Sequence, residues 1–181
     1  MTCIVGIVEN DKVYLAGDSA GSSGHTSDTK NIKKVFHNIF DTDFIFGYSG
    51  SFRLGQILQY NFIPPENKWG WDFQRYIATN FIDTLQDCLK DNEYNIKENG
   101  VNFLMGYQNN LIEIQSDFSF FINSENHSFD SVGCGEEFAK GALSILVKDF
   151  NKESEEKLIE TLKAVENFDA YVKPPFHIVH T

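Results

Sequence analysis

Three polar residues near the start of the chain have the types and spacing that nucleophilic catalysis requires. With Thr2 taken as position i, Asp18 stands at i+16 and Lys34 at i+32. A threonine hydroxyl is a weak nucleophile and needs an adjacent base. Once Met1 is removed, the α-amine of Thr2 can be that base, because its unperturbed pKa of roughly 7.7–8.0 leaves it partly neutral at cytoplasmic pH.

Lys34 and Asp18 would support this chemistry electrostatically. An ammonium group beside the amine favours the neutral amine, and a carboxylate beside the ammonium holds it and balances its charge. Because threonine is small, we expect an aminopeptidase to remove Met1. Ordinary explanations also exist, since Asp18 can cap a turn and Lys33 and Lys34 can simply be solvated. The spacing alone leaves both interpretations open.

A predicted β-hairpin brings the first two of these residues together. Residues 2–8 and 12–18 form apolar segments rich in β-branched residues, and Asn10-Asp11 between them is a turn signal. Because the two strands are about equally long, the hairpin returns Asp18 to the level of Thr2.

A third strand is predicted to bring the lysine to the same place. Residues 19–31 are rich in Ser, Gly, Thr and Asp and are predicted to form a loop. The strand predicted at 33–37 enters after this loop, with Lys34 at its start. A hydroxyl, a carboxylate and an ammonium group would then be neighbours.

The rest of the chain shows both helical and strand patterns. Predicted helices cover 51–62, 71–90, 136–150 and 155–167, and further predicted strands cover 43–48, 101–107, 111–115, 118–122 and 176–179. The helix at 136–150 is apolar on most faces, as expected of a helix packed between layers. Strands and helices are grouped rather than alternating singly, which favours an α+β fold of two antiparallel sheets with helices outside.

Composition excludes several classes of protein. The chain has 181 residues, of which 41% are hydrophobic, and this suits one domain with a sizeable core. No run of 18 or more apolar residues is present, so we expect no membrane span. Glu9 and Asp11 come too early for a secretory signal, which predicts a cytoplasmic protein. The net charge of −11 argues against nucleic acid, because phosphate binding needs a positive face.

The cysteines and histidines predict no metal site and no disulfide framework. Cys3, Cys88 and Cys134 are an odd, scattered set without zinc-binding spacing. His177 and His180 are three residues apart in a predicted strand, so their side chains point to opposite faces. We expect no metal and no cofactor.

Two sequence blocks resemble the proteasome β-subunits, most closely the HslV type. They are MTCIVGIV…VYLAGDSAG…KKVF…FIFGYSGS and SVGCGEEFAKGAL, and the resemblance is good over residues 2–55 and 131–147. In that family a mature N-terminal threonine is followed by an aspartate and then by a lysine at the same two offsets. Thr2, Asp18 and Lys34 match this pattern.

The resemblance implies a fold, an activity and further site residues. The fold is a four-layer αββα sandwich, here a single domain over residues 2–181, and the activity is that of a threonine endopeptidase. The oxyanion donor falls on the backbone N–H of Gly50, a type of donor that can be worth about 3 kcal/mol. The family usually has a serine that hydrogen-bonds the N-terminal amine where this chain has Cys134, and a thiol is a weaker hydrogen-bonding group. The aspartate that supports this serine corresponds to Asp169.

The resemblance also indicates how a peptide substrate would bind. Gly21 and Ser22, together with residues 47–49, are small or extended, so a peptide could add as a strand between them. In the family, the residue two before the oxyanion glycine shapes the pocket for the side chain that precedes the cleaved bond. Here it is Tyr48, whose bulk should narrow that pocket. Tyr48 could instead be only a core aromatic.

Three functions and one rival nucleophile stay open. The resemblance implies a homo-oligomeric ring that receives peptide or unfolded protein from a separate ATPase unfoldase, because this chain has no GxxxxGK[ST] motif. A small-amide amidohydrolase of the same nucleophile class and a non-catalytic ring or scaffold protein are the alternatives. Cys3 as nucleophile would need removal of two residues and would shift the spacings to 15 and 31.

Overall fold

Two antiparallel sheets form the centre of the computed structural model, which describes residues 2–23, 26–29, 32–67 and 72–181. The first sheet contains, in spatial order, β10 (Phe129–Gly133), β1 (Cys3–Glu9), β2 (Lys12–Gly17) and β11 (His177–His180). The second contains β5 (Val35–His37), β6 (Phe44–Tyr48), β7 (Phe103–Tyr107), β8 (Asn110–Ile114) and β9 (Phe120–Asn123). A separate pair is formed by β3 (Ala20–Ser23) and β4 (Thr26–Thr29).

The predicted hairpin of β1 and β2 is confirmed. Glu9 pairs with Lys12 across a two-residue turn in which Asn10 and Asp11 have φ angles of 54° and 58°. Positive φ at both turn positions matches the right-handed twist of the strands, and Asn and Asp tolerate it better than other residues with a side chain. The register that this turn sets places Ile4 opposite Gly17, so Asp18 returns to the level of Cys3 and Thr2.

Helices cover the outer face of each sheet. Against the five-stranded sheet lie α1 (Phe52–Tyr60), a continuous helical segment of α2 (Phe73–Tyr76), a π-helical turn (Ile77–Phe81) and α3 (Ile82–Asp91), and the short α4 (Ile96–Asn99). Against the four-stranded sheet lie α5 (Glu136–Leu146) and α6 (Ser154–Glu166). The fold is therefore the expected α+β sandwich of two antiparallel sheets between helical layers.

Strand β1 is buried on both faces, which explains its uninterrupted apolar sequence. Ile4 and Val8 pack between the two sheets, whereas Val5 and Ile7 pack against the layer of α5 and α6. A strand covered on both sides has no face that favours polar residues. Within the described residues, no helix is long and apolar enough to cross a membrane.

Four elements differ from the sequence-based prediction. The loop expected over 19–31 contains β3 and β4, whose small polar residues carry no apolar alternation. Strand β10 was not predicted, because its buried Asp130 and Ser131 interrupt the strand pattern. Their polar groups are satisfied locally, since the Ser131 hydroxyl donates to the Glu136 carbonyl at 2.9 Å and Lys140 pairs with Asp130 at 3.0 Å. The four-residue α4 is too short for periodicity to detect.

The expectation that the helix at 136–150 is packed between layers is wrong. Helix α5 lies on the outside and buries only Ala139 and Leu143. Phe138 and Ile145 are exposed on its outer side. Its apolar character is therefore not explained by burial within one chain.

Candidate active site

A buried ion pair joins the second strand of the hairpin to the start of β5. The Lys34 ammonium lies 3.0 and 2.9 Å from the two carboxylate oxygens of Asp18. The side chains of Lys34 and Asp18 are 1% and 0% exposed. The same carboxylate accepts hydrogen bonds from the N–H groups of Cys3 and Ala20, each at 2.9 Å. Burial lowers the pKa of Lys34, and the charge of Asp18 opposes that change.

Thr2 lies directly before β1 and is only 3% exposed. Its carbonyl oxygen accepts a hydrogen bond from the N–H of Cys134 at 2.8 Å and one from the Cys134 thiol at 3.4 Å. The next N–H along the chain, that of Cys3, donates to Asp18. The peptide unit between Thr2 and Cys3 is thus fixed on both sides, with the Lys34–Asp18 pair next to it.

Gly133 allows the end of β10 to approach Thr2 closely. Its φ angle is 106°, in the region that side-chain-bearing residues rarely adopt, and a Cβ atom there would lie 2.1 Å from the Thr2 carbonyl oxygen. The same Cβ would lie 3.4 Å from the Cβ of Ser49. Gly133 therefore lies between Thr2 and the segment that leads to Gly50.

Gly50 connects β6 to α1 in a conformation that also favours glycine. Its φ angle is 80°, and an added Cβ would lie 3.2 Å from Val101. Ser51 follows as the N-cap of α1, and its hydroxyl accepts a hydrogen bond from the N–H of Arg53 at 3.2 Å. The predicted oxyanion donor thus lies at the positive end of a helix, where negative charge is favoured.

The Cys134 thiol lies between the Thr2 carbonyl and the carboxylate of Asp169. The residue is exposed as a whole, but its sulfur faces these two groups. Desolvation of the sulfur and then a hydrogen bond to Asp169 raise the pKa of Cys134 to about 11. The thiol is therefore neutral at neutral pH. Asp169 is itself held by the N–H of Tyr171 at 2.8 Å.

Cys3 is poorly placed to be the nucleophile. Its side chain is fully buried and packs with the residues beneath α5 and α6. Burial, followed by the negative charge of Asp18, raises the pKa of its thiol far above the usual range. A thiolate is the reactive form of cysteine, so this environment weighs against the rival mechanism.

The residues expected to bind a peptide backbone lie in two different environments. Gly21 and Ser22 are in β3 and pair with Asp28 and Ser27 of β4. Of the stretch 47–49, the N–H groups of Tyr48 and Ser49 are already used within the sheet. Strand β6 is flanked by β5 and β7, and the N–H groups of Tyr48 and Ser49 donate to the carbonyls of Lys34 and Asn102.

Tyr48 is both a core residue and a wall of a cavity. It is 4% exposed, and its ring lies 6.2 Å from that of Phe36 and 6.4 Å from that of Phe52. The cavity, about 430 Å³ in volume, lies between the start of β5 and α1. Its described walls include Ile32, Lys33, Phe36, Tyr48, Phe52 and Gln56. Gly21 is not among them.

Two residues that contribute to this region were not singled out from the sequence. The hydroxyl of Ser19 donates to the Pro175 carbonyl at 2.6 Å, and its N–H donates to the Lys173 carbonyl at 3.0 Å, so the C-terminal segment holds the turn after Asp18. Gly55 lies against Tyr48, because a Cβ there would be 2.2 Å from the ring. A lone glycine inside a helical pattern was the available signal for Gly55, whereas Ser19 gave none.

Sites for metal ions are not indicated in the described part of the chain, where no group of three or more His, Cys, Asp or Glu residues is placed to hold one.

Two facing antiparallel sheets between helical layers are the architecture of the N-terminal-nucleophile hydrolase fold. The sequence model described as "Proteasome subunit" matches residues 1–173. The chain therefore belongs to the proteasome subunit family. A comparison with curated proteins found no match.

Solved structures with the same fold have low sequence identity to this chain. BPH from Thiobacillus denitrificans in complex with epoxomicin has a TM-score of 0.79 and 16% identity, over 99% of this chain and 98% of that one. Eukaryotic HslV from Trypanosoma brucei has a TM-score of 0.72 and 13% identity, over 99% and 98%. The helical assembly of the Anbu complex from Pseudomonas aeruginosa has a TM-score of 0.68 and 14% identity, over 99% and 81%.

Proposed function

We propose that this protein is a threonine peptidase that uses Thr2, after removal of Met1, to hydrolyse peptide bonds. The observation that carries the proposal is the buried Lys34–Asp18 pair beside the fixed backbone of Thr2. Burying two charges costs free energy, and a stable fold does not require it. A pair that would bias the Thr2 amine toward its neutral form has a direct catalytic use.

The proposed reaction begins at the free α-amine of Thr2. The amine accepts the hydroxyl proton while Oγ attacks the carbonyl carbon of the scissile peptide bond. The negative charge on the carbonyl oxygen is stabilised by the N–H of Gly50, and the protonated amine returns its proton to the leaving nitrogen. Water then hydrolyses the resulting ester with the same amine as base.

Cys134 and Asp169 take a positioning role in this mechanism. Cys134 holds the Thr2 carbonyl through its N–H, and Asp169 holds the thiol. The neutral thiol can donate only one weak hydrogen bond, so the amine is held less firmly than by a serine. This difference is the observation that favours the alternative of a non-catalytic protein that retains the fold.

Intact mass and covalent labelling of the purified protein test the proposal. We expect the mass of the chain without Met1, and labelling of Thr2 by an epoxyketone such as epoxomicin, which BPH binds. Thr2→Ala is the matched control and should lose both labelling and turnover. Retention of Met1 in a host with active methionine aminopeptidase would contradict the proposal and favour a scaffold protein. Turnover of small amides without turnover of peptides would favour the amidohydrolase.

The proposed partners are unfolded protein, further copies of this chain and a separate ATPase. We place this enzyme in the cytoplasm, where such an ATPase would deliver substrate. A homo-oligomeric ring is our first expectation. The Anbu complex forms a helical assembly, so an open assembly is a second possible arrangement for this chain.

A further inference from the structure

Two residues that line the cavity beside Tyr48 are close along the chain to proposed catalytic residues, since Lys33 precedes Lys34 and Tyr48 lies near Gly50. Tyr48 precedes Gly50 by two residues, and its N–H donates to the Lys34 carbonyl at 3.1 Å. Lys34 in turn holds Asp18. A peptide whose carbonyl lies at the Gly50 N–H would therefore have the opening of this cavity next to it.

Two adjacent lysines have opposite environments at this position. Lys34 is buried on Asp18, whereas Lys33 is exposed and borders the cavity. Among the described residues that line the cavity, Lys33 is the one with a charged side chain. The positive charge of Lys33 also acts on a neighbouring histidine. The pKa of His177 is lowered mainly by burial and, to a smaller extent, by the charge of Lys33.

The remaining walls suit a side chain with an apolar stem and a polar end. Phe36 and Phe52 present aromatic rings, and Gln56 and Gln59 provide amide groups. Methylene groups pack favourably on aromatic rings, and a carboxylate accepts hydrogen bonds from amides and from an ammonium group. A glutamate side chain combines these properties.

We propose that Lys33 determines specificity by selecting an acidic side chain, that of glutamate, immediately before the cleaved bond. This inference rests on the proposed peptidase function, since it names the substrate class of the same site. The rest of the chain carries a net negative charge, so an acidic residue has no general reason to be preferred. The preference must come from Lys33 and must be screened by salt.

The inference is tested by measuring kcat/KM for three peptides. They differ only in the residue before the cleaved bond, which is glutamate, glutamine or lysine. We expect the wild-type enzyme to prefer glutamate over glutamine about fivefold, the upper range for an exposed ion pair. Lys33→Gln should remove this preference by lowering kcat/KM for the glutamate peptide toward that for the glutamine peptide. Lys33→Glu should reverse the order, with lysine preferred over glutamate. Lys12→Gln, an exposed lysine at the hairpin turn, is the control and should change nothing.

The outcomes separate this inference from the proposed function. In one outcome the glutamine peptide is hydrolysed, but the ratio of kcat/KM for glutamate to that for glutamine is the same in wild type and in both Lys33 variants. This result overturns the role of Lys33 and leaves the proposed peptidase function intact. Absence of hydrolysis of all three peptides by a protein that has lost Met1 overturns both. A preference that persists unchanged at 1 M salt, where the screening length is about 3 Å, also contradicts an electrostatic origin.

Discussion

At the scale of single residues, the Lys34–Asp18 pair has to be treated as one unit. Each partner is buried, and the Asp18 carboxylate accepts from the Lys34 ammonium and from two backbone N–H groups. Removing one charge leaves the other buried without its counter-ion. Such a loss destabilises proteins by about 3–5 kcal/mol, so catalytic and structural effects have to be measured together.

We predict that Lys34→Ala and Asp18→Asn reduce kcat by at least about a hundredfold in protein that remains folded. The reason is that the Thr2 amine would no longer be biased toward its neutral form. Turnover of the glutamine peptide, measured with a melting curve for each variant, checks this prediction. Lys33→Ala, at the neighbouring position, should reduce turnover of that peptide far less than Lys34→Ala does. Loss of activity in Lys33→Ala but not in Lys34→Ala would show that the register is wrong.

The thiol at Cys134 gives a second prediction at this scale. A hydroxyl donates a stronger hydrogen bond than a thiol, whether its proton goes to the Thr2 carbonyl or to the Asp169 carboxylate. We therefore expect Cys134→Ser to keep or raise kcat, with Cys88→Ser as a control away from the site. A large loss of activity on Cys134→Ser would instead show that the sulfur has a role of its own.

At the scale of elements, the packing of α1 on β6 sets the shape of the cavity. Tyr48 fills the space left by Gly55, because a Cβ on that glycine would lie 2.2 Å from the ring. The ring packs in the core of the five-stranded sheet and also borders the cavity, so the cavity is the space toward which it can move. Replacing Tyr48 by alanine would cost about 3–5 kcal/mol, which makes it a poor probe of specificity by itself.

Gly55→Ala is a sharper test of the same contact. The added methyl group should push the Tyr48 ring toward the cavity and shift cleavage toward smaller side chains before the cleaved bond. Gly141→Ala in α5 is the matched control, because nothing lies within 4 Å of its added Cβ. We expect that control to be neutral or to stabilise the protein by up to about 1 kcal/mol. Cleavage of a peptide library and melting curves measure both effects, and an unchanged profile in folded Gly55→Ala contradicts the assignment.

A buried ion pair also links the end of β1 to α6. Glu9 accepts hydrogen bonds from the Lys157 ammonium and the Ser154 hydroxyl, each at 2.5 Å, and His127 lies 3.2 Å from the same carboxylate. Burial would raise the pKa of Glu9, but the hydrogen bonds from Lys157 and Ser154 outweigh it and hold the pKa below its usual value of 4.5. These contacts thus favour the ionised carboxylate of Glu9.

The lowered pKa of Glu9 predicts how the stability contributed by this ion pair depends on pH. A carboxyl group whose folded pKa is depressed stabilises the protein above its unfolded pKa, and the contribution is lost as pH falls through the folded pKa. We expect Glu9→Gln to cost about 3–5 kcal/mol at pH 7, because it leaves Lys157 buried and unpaired. Urea unfolding from pH 7 to pH 3 should show the difference from wild type shrinking below about pH 4.5. A difference that stays constant with pH would contradict the role of the ionised carboxylate.

At the scale of the whole molecule, exposed apolar side chains on the outer helical layer offer a surface for the assembly proposed above. Phe138 and Phe168 stack with ring centres 5.4 Å apart, and Phe168 and Ile145 are 72% and 73% exposed. Exposed apolar groups of this kind mark surfaces that bind other proteins. A second copy of this chain would account for the apolar character of α5, which the fold of one chain does not explain.

We predict that the protein sediments as a multiple of its 20.7 kDa chain at micromolar concentration. Phe168→Ser should shift the distribution toward smaller species, because it removes apolar area from this surface. Phe121→Ser is the control, since Phe121 is 56% exposed on β9, away from α5. Analytical ultracentrifugation measures both, and a wild-type protein that is monomeric over the accessible concentration range contradicts the prediction.

The sequence by itself determined the features that depend on neighbours along the chain. The hairpin follows from two apolar segments around Asn10 and Asp11, and it places Asp18 beside the backbone of Thr2. The spacing of Lys34 matched the family pattern, and the structure pairs it with Asp18. Grouped strands and helices also indicated the sandwich, because the periodicity of apolar residues records which face of each element is buried.

Only the tertiary structure decided the features that depend on distant partners. The contact of Cys134 with Thr2 joins residues 132 positions apart, and that of Ser19 with Pro175 joins residues 156 positions apart. Strand β10 could not be predicted from the sequence pattern. A polar residue can be buried only where a partner elsewhere in the chain satisfies it, as Lys140 does for Asp130. The cavity at Lys33 and the exposed face of α5 likewise exist only once separate elements pack, because periodicity describes one element and not the surface it meets.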